Sequence, residues 1–432
     1  MNFKSFSFPE PLLKALDEIG FEELTPIQQA AIPVIRKGHD VLATAQTGTG
    51  KTAAFALPVI HNLLKGTPSK SPRALFLAPT RELAEQIANN CESFTKHTEL
   101  RTVAVFGGVN VEGQSQRLSQ GADIIAATPG RLLDLVRLGS VDLANIEHLV
   151  LDEADRMLDM GFIDEMQRVI SLAKEDKQLL LFSATFPSAV KQFAKKVLKE
   201  PKLVQTAPEN TTAETVRHVV YPVEQQRKKE LLSELIGKKN WQQVLVFVNM
   251  KDDADTIVEE LELDGIAATV CHGDKKQGAR RRALREFKEG KVRVLVATEV
   301  AARGIDIEGL PRVVNYDLPY LPEDYVHRIG RTGRAGNSGQ AISFVSREEE
   351  QFLLHIEALI GQKIKRYYLP GYEVASRDNL IDNLSKKPSH QRRKARTNRP
   401  SNQASGEARV KNRSKISSVR SRLKGVKLKL DK

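Results

Sequence analysis

From about Asp40 onwards, short apolar runs rich in Val, Ile, Leu and Ala alternate with longer stretches whose apolar residues recur at helical spacing. Parallel strands covered on both faces read as continuous apolar runs joined by helical crossovers, so the pattern predicts an α/β protein. In the first half the candidate strands are DVLATA (40–45), ALFLAP (74–79), TVAVFG (102–107), DIIAAT (123–128), HLVLDE (148–153) and LLLFSAT (179–185). The polar stretch TAPENTTAET (206–215) then interrupts as a linker would. A second set follows: HVVYPV (218–223), QVLVFVN (243–249), ATVCHG (268–273), RVLVATE (293–299), VVNYDL (313–318) and QAISFVS (340–346). Two similar parallel-sheet domains in tandem are implied, over residues 1–205 and 216–371.

Past Gly371 the periodicity fades, and past Ser385 there is no Phe, Trp or Tyr. Such a segment cannot bury enough surface to offset its ordering entropy, so residues 372–432 are expected to form a basic extension, disordered from about 385. Charge sharpens this division. The chain carries a net +12, yet residues 385–432 alone hold 17 Lys or Arg against 2 Asp or Glu, a net +15, which leaves residues 1–384 at −3. A polyanionic partner is expected, with the tail as its tether. Cys91 and Cys271 lack the paired spacing of a zinc site or disulfide framework and read as packed thiols, as Trp241 reads as a packing residue. The opening residues do not read as a secretory signal, and no apolar run approaches a membrane span. A reducing cytoplasm is the expected compartment.

The chemistry begins at Ala45-Gln46-Thr47-Gly48-Thr49-Gly50-Lys51-Thr52, which follows one predicted strand and opens a helical stretch. That is the context of a phosphate-binding loop: glycines let backbone N–H groups curl around phosphates, Lys51 adds a cation, and the Thr52 hydroxyl can hold Mg2+. Ala45 replaces the glycine of the strictest pattern. A glycine-rich strand-to-helix turn is the plain alternative. Roughly a hundred residues on, Leu149-Val150-Leu151 runs into Asp152-Glu153-Ala154-Asp155, two adjacent carboxylates at a strand end. Asp152 can position Mg2+, and Glu153 can orient or deprotonate the water that attacks a γ-phosphate.

With these elements the chain resembles the DEAD-box family of ATP-dependent RNA helicases, along nearly the whole body of the sequence and in the family's order. The resemblance implies two tandem RecA-like domains. Phe21 with Thr25-Pro26-Ile27-Gln28 is similar to the Q motif, whose glutamine reads adenine, and Phe3 sits where the family places an aromatic near the base. Pro79-Thr80-Arg81-Glu82-Leu83, Gly107-Gly108 and Thr128-Pro129-Gly130-Arg131 resemble the elements that grip the sugar–phosphate backbone of one RNA strand. Ser183-Ala184-Thr185 resembles the element linking hydrolysis to duplex opening. In the second half His272-Gly273 with Gln277 and Arg280, Ala297-Thr298 with Ala302-Arg303-Gly304-Ile305-Asp306, and HRIGRTGR (327–334) match three more. The resemblance implies arginine fingers at Arg331 and Arg334, an ATP contact at Asp306, RNA contacts at Gln277, Arg280, Thr298 and Arg303, and a coupling role for His327 with Ser183 and Thr185.

Two departures stand out. Glu299 occurs where aspartate is commoner, and Asn249-Met250-Lys251 where a threonine often precedes the basic residue. Neither touches a group assigned to hydrolysis. The motifs fall at the carboxyl ends of the predicted strands, the edge on which open parallel sheets bind ligands. The expected function is coupling of ATP hydrolysis, with Mg2+, to closure and opening of two domains that locally unwind RNA. The alternative is an ATP-gated RNA clamp without strand separation. A compact core and short basic tail resemble the bacterial RhlE type, and a ribonucleoprotein or ribosome-assembly setting follows from analogy.

Overall fold

The computed structural model describes residues 2–45, 49–67, 69, 71–206, 216–302, 307, 309–333, 339–372 and 374. Among the described residues fourteen strands form two seven-stranded sheets. The first holds β1 (Val41–Thr44), β2 (Ala74–Leu77), β3 (Thr102–Val105), β4 (Ile124–Ala127), β5 (His148–Leu151), β6 (Gln178–Ser183) and β7 (Lys202–Gln205). The second holds β8 (Val216–Pro222), β9 (Val244–Val248), β10 (Ala268–Cys271), β11 (Val294–Thr298), β12 (Arg312–Asn315), β13 (Gly339–Val345) and β14 (Lys365–Arg366).

Their orders are β3-β4-β2-β5-β6-β1-β7 and β10-β11-β9-β12-β13-β8-β14, so adding seven to each strand of one sheet gives the other. Every neighbouring pair is parallel. These are two RecA-like α/β domains with one topology, and both belong to a single compact unit.

All twelve apolar runs form strands. Their side chains alternate between two cores: Leu149 and Leu151 of β5 enter the cluster on one face of the first sheet, and Val150 enters the other. In β9, Val244, Val246 and Val248 pack on one face and Leu245 and Phe247 on the opposite one. Continuous apolarity follows from cover on both faces, each residue still pointing one way in turn. The last strands, β7 and β14, lie at sheet edges and carry exposed polar residues, so no apolar run announces them.

Cys91 and Cys271 are free and buried, and burial pushes both thiols up, which makes them packed, inert groups. Trp241 is also buried, in the core of the second domain. Among the described residues no helix is long and apolar enough to cross a membrane. The expected linker, apart from residue 206, and the basic extension from 375 lie outside the described residues.

Candidate functional site

The phosphate loop leaves β1 beside β6, where the Ala45 N–H donates to the Ser183 carbonyl at 3.2 Å. Gln46, Thr47 and Gly48 lie outside the described residues. The chain re-emerges at Thr49 and Gly50, whose φ of +85° is left-handed, and a Cβ at Gly50 would collide with the Gln28 amide. The helix Lys51–Lys65 starts at the next residue, so its N-terminus and the partly exposed Thr52 face the loop.

Lys51 is buried, and its Nζ has no hydrogen-bond partner among the described residues. Its nearest carboxylate is Asp152, with Nζ 3.9 Å from Oδ1. Burial pushes the Asp152 carboxyl up to about 6, although the Lys51 ammonium opposes the shift. Asp152 sits here because β5 ends at Leu151, and its N–H prolongs the ladder by donating to the Leu77 carbonyl at 2.9 Å. Glu153 follows with φ +52° and ψ +51°, a left-handed conformation costly for a residue with a side chain. That turn holds a buried carboxylate directly before the helix Ala154–Asp159.

Asp155 is the hub behind this pair. Its Oδ2 accepts from the Thr185 N–H and Thr185 hydroxyl, each at 2.9 Å, and from the Ala184 N–H at 3.1 Å. His327 approaches from the second domain, Nε2 lying 3.9 Å from the same oxygen. Burial alone would raise this carboxyl, but His327, Lys51 and the Thr185 bonds hold it below the usual range. The Ser183 hydroxyl donates to the Thr185 carbonyl at 2.6 Å. Thr185 and His327 therefore meet at one carboxylate, and Ser183 joins them through the Thr185 carbonyl; nothing in the sequence singles out Asp155 for this role. Arg331 is buried four residues beyond His327; Arg334, Arg303 and Asp306 lie outside the described residues.

Gln28 sits in the first turn of the helix Pro26–Arg36, where Pro26 presets the backbone. Its Oε1 accepts from the Thr25 N–H at 2.9 Å and its Nε2 donates to the Gly50 carbonyl at 3.2 Å. The amide thereby ties the Q-motif region to the loop and keeps one further donor and one further acceptor position. Phe3 is buried, its ring 5.8 Å from that of the partly exposed Phe21.

The remaining first-domain positions gather at the carboxyl ends of β2, β3 and β4. Thr80, after Pro79, caps the helix Arg81–Phe94 by accepting from the Leu83 N–H at 3.3 Å. Arg81 lies over Gly108, whose φ of +78° and missing Cβ leave it room. The Thr128 N–H donates to the Val105 carbonyl at 2.9 Å, Pro129 opens the next helix, and Arg131 donates to the Val109 carbonyl at 3.0 Å. Thr298 ends β11 half-buried.

Gln277 and Arg280 turn instead toward the first domain: Glu82 Oε1 accepts from Gln277 Nε2 at 3.1 Å and lies 2.8 Å from Arg280 Nη2. Glu82 was visible in its motif, but nothing in the sequence pairs it with residues two hundred positions away. Arg328 stands inside the HRIGRTGR stretch, where nothing in the sequence marks it apart. It is almost wholly buried and stacks 5.1 Å from the Phe247 ring. It donates to Glu299, to the Asp317 carbonyl at 2.7 Å and to Asn249 Oδ1 at 3.0 Å. The unusual glutamate and the first residue of the Asn249-Met250-Lys251 stretch thus share one arginine.

A phosphate loop and an acidic pair in one RecA-like domain, facing a histidine from a second, define a two-domain nucleotide-driven machine of the helicase type. Residues 25–193 match the DEAD/DEAH box helicase family and residues 227–336 match the helicase conserved C-terminal domain. The ATP-dependent RNA helicase RhlB of Pseudomonas aeruginosa (strain UCBPP-PA14) is 46% identical over 370 residues, 84% of this chain and 93% of that protein. The DEAD-box ATP-dependent RNA helicase CshA of Bacillus subtilis (strain 168) is 40% identical over 375 residues, 87% and 76% of the two chains. Among solved structures, S. cerevisiae Dbp5 bound to RNA and ADP BeF3 superposes with a TM-score of 0.77 at 33% identity, covering 89% of this chain and 99% of that one. This chain belongs to the DEAD/DEAH-box helicase family. Its similarity to RhlB and CshA proteins is bacterial in type and does not single out the RhlE type.

Proposed function

We propose that this protein is an RNA-stimulated ATPase that closes two domains, delimited at 1–205 and 216–371, around ATP and one RNA strand and so opens short duplexes. The observation that carries the reading is the buried Lys51 Nζ, without a hydrogen-bond partner among the described residues, beside Asp152 and the strained Glu153. A buried ammonium in this state is costly unless a ligand supplies the anion, and a triphosphate does so.

Among the described residues no group of three or more His, Cys, Asp or Glu is set to hold a metal alone. Thr52 and Asp152 instead suit Mg2+ held jointly with the phosphates, which when bound neutralises charge on the β- and γ-oxygens. Lys51 binds the phosphates. The Glu153 carboxylate takes the proton of the attacking water as its oxygen bonds to the γ-phosphorus and the bond to the bridging oxygen breaks, leaving ADP and phosphate. Arg331, with Arg334, stabilises the charge of that transition state. Asp155 ties the hydrolysis site to Ser183, Thr185 and His327, so loss of phosphate loosens the contact between domains. Gln28 selects adenine.

Arg81, Gly108, Thr128, Arg131 and Thr298 face phosphate and sugar, which implies little sequence preference. The basic tail adds an unspecific tether through counterion release. The compact core and short basic tail support the RhlE type, and the free buried thiols suit a reducing cytoplasm. A ribosome-assembly setting rests on analogy alone.

The test compares ATP hydrolysis with RNA, with DNA of the same sequence and with neither, alongside separation of a short RNA duplex. Stimulation by RNA alone together with strand separation is expected. Hydrolysis without separation would favour the clamp, and equal stimulation by DNA would overturn the RNA assignment.

A further inference from the structure

We propose that Glu85 and Arg281 form an interdomain latch that sets how readily the two domains close; this rests on the reading above. Glu85 lies on the helix Arg81–Phe94 of the first domain and Arg281 on the helix Gln277–Lys288 of the second. Arg281 Nε donates to Glu85 Oε2 at 3.1 Å, and its Nη2 pairs with the other carboxylate oxygen, a two-pronged fork. Among the described residues neither side chain bonds to anything in its own domain. The pair therefore exists only when the domains meet, and its free energy enters closure rather than the folding of either half.

The surrounding seam gives the pair its leverage. One turn away, Glu82 holds Gln277 and Arg280. Beside these bonds a cavity of about 490 Å3 separates the two helices, and of its lining residues only Leu284 is a large apolar one. Opposite charges face each other across this seam. Arg281 is half exposed, and an exposed pair is weak, shifting an equilibrium about two- to fivefold. An effect of that size tunes closure without locking it, which a clamp that must reopen each cycle requires. Glu85 and Arg281 are positioning residues and touch no reacting atom.

A charge-swap cycle tests the latch. E85R and R281E should each raise the RNA concentration for half-maximal ATPase about fivefold, leaving the rate at saturating RNA and the melting temperature unchanged. E85R/R281E should return within about twofold of the parent, and all differences should shrink at high salt. If Arg281 merely binds RNA, E85R adds a cation and tightens RNA binding, and the swap restores nothing; either result overturns the latch. Should the parent show no RNA stimulation, the helicase reading fails by itself. The same four proteins, dye-labelled on each domain and given ATP alone, then report the latch by energy transfer. Closed fractions that fall in both single variants and recover in the swap sustain it, and equal fractions in all four overturn it.

Discussion

The two domains share one strand order, yet one buried lysine in each is treated in the opposite way. In the second, Lys228 is fully buried and answered: its Nζ lies 2.6 Å from Glu349 and 3.4 Å from Asp317, over the Tyr316 ring. Glu349 also accepts from the Leu318 and Ser346 N–H groups, at 3.0 Å and 2.9 Å. Arg328 is similarly surrounded by Glu299, Asn249 and the Asp317 carbonyl. In the first, Lys51 is almost as buried and has a carboxylate only at 3.9 Å, with Glu153 beside it in a strained conformation. Cations satisfied from within brace a fold, whereas one left short of partners at the carboxyl edge of a sheet is held ready for an incoming anion.

The largest effect that would sharpen this contrast is on turnover. Glu153→Gln keeps shape and burial but removes the base, so ATP and RNA binding should persist while steady-state hydrolysis falls by about 10² to 10⁴. Normal turnover in this variant would remove Glu153 from the chemistry. Next in size is Arg328→Met, which strands Glu299 and Asn249 and should cost the second domain about 3–5 kcal/mol in chemical denaturation. A loss below about 1 kcal/mol would mean the second domain's charges are not bracing it. Smaller still, Gln28→Ala should weaken ATP by about 1–3 kcal/mol while the affinity for GTP hardly changes. An unchanged ATP-to-GTP ratio in equilibrium binding would confine Gln28 to its bonds with Thr25 and Gly50.

The sequence revealed what depends on local pattern. Twelve strands were legible because each is a run of apolar residues, and Lys51, Thr52, Asp152 and Glu153 because their types recur at strand ends with fixed spacing. Strands β7 and β14 were not, since they are short and most of their residues are polar and exposed. Nor were the contacts joining distant positions: Glu82 with Gln277 and Arg280, Asp155 with His327, Arg328 with Glu299. Each of these residues is an ordinary polar or charged one in sequence, and only burial against another chain segment makes it consequential. The left-handed backbone of Glu153 was equally hidden, because glutamate has no preference that would mark it.

The contrast between Lys51 and Lys228 is the most direct measure of the account. Thermal melting of the parent, Lys51→Met and Lys228→Met, each with and without ATP and Mg2+, separates the two roles. Lys51→Met should melt no lower than the parent without nucleotide and should lose most of the rise that ATP gives. Lys228→Met should lose about 3–5 kcal/mol of stability yet keep that rise. A Lys51→Met protein that melts early, or that ATP stabilises as fully as the parent, would contradict the claim that this cation is held for the nucleotide.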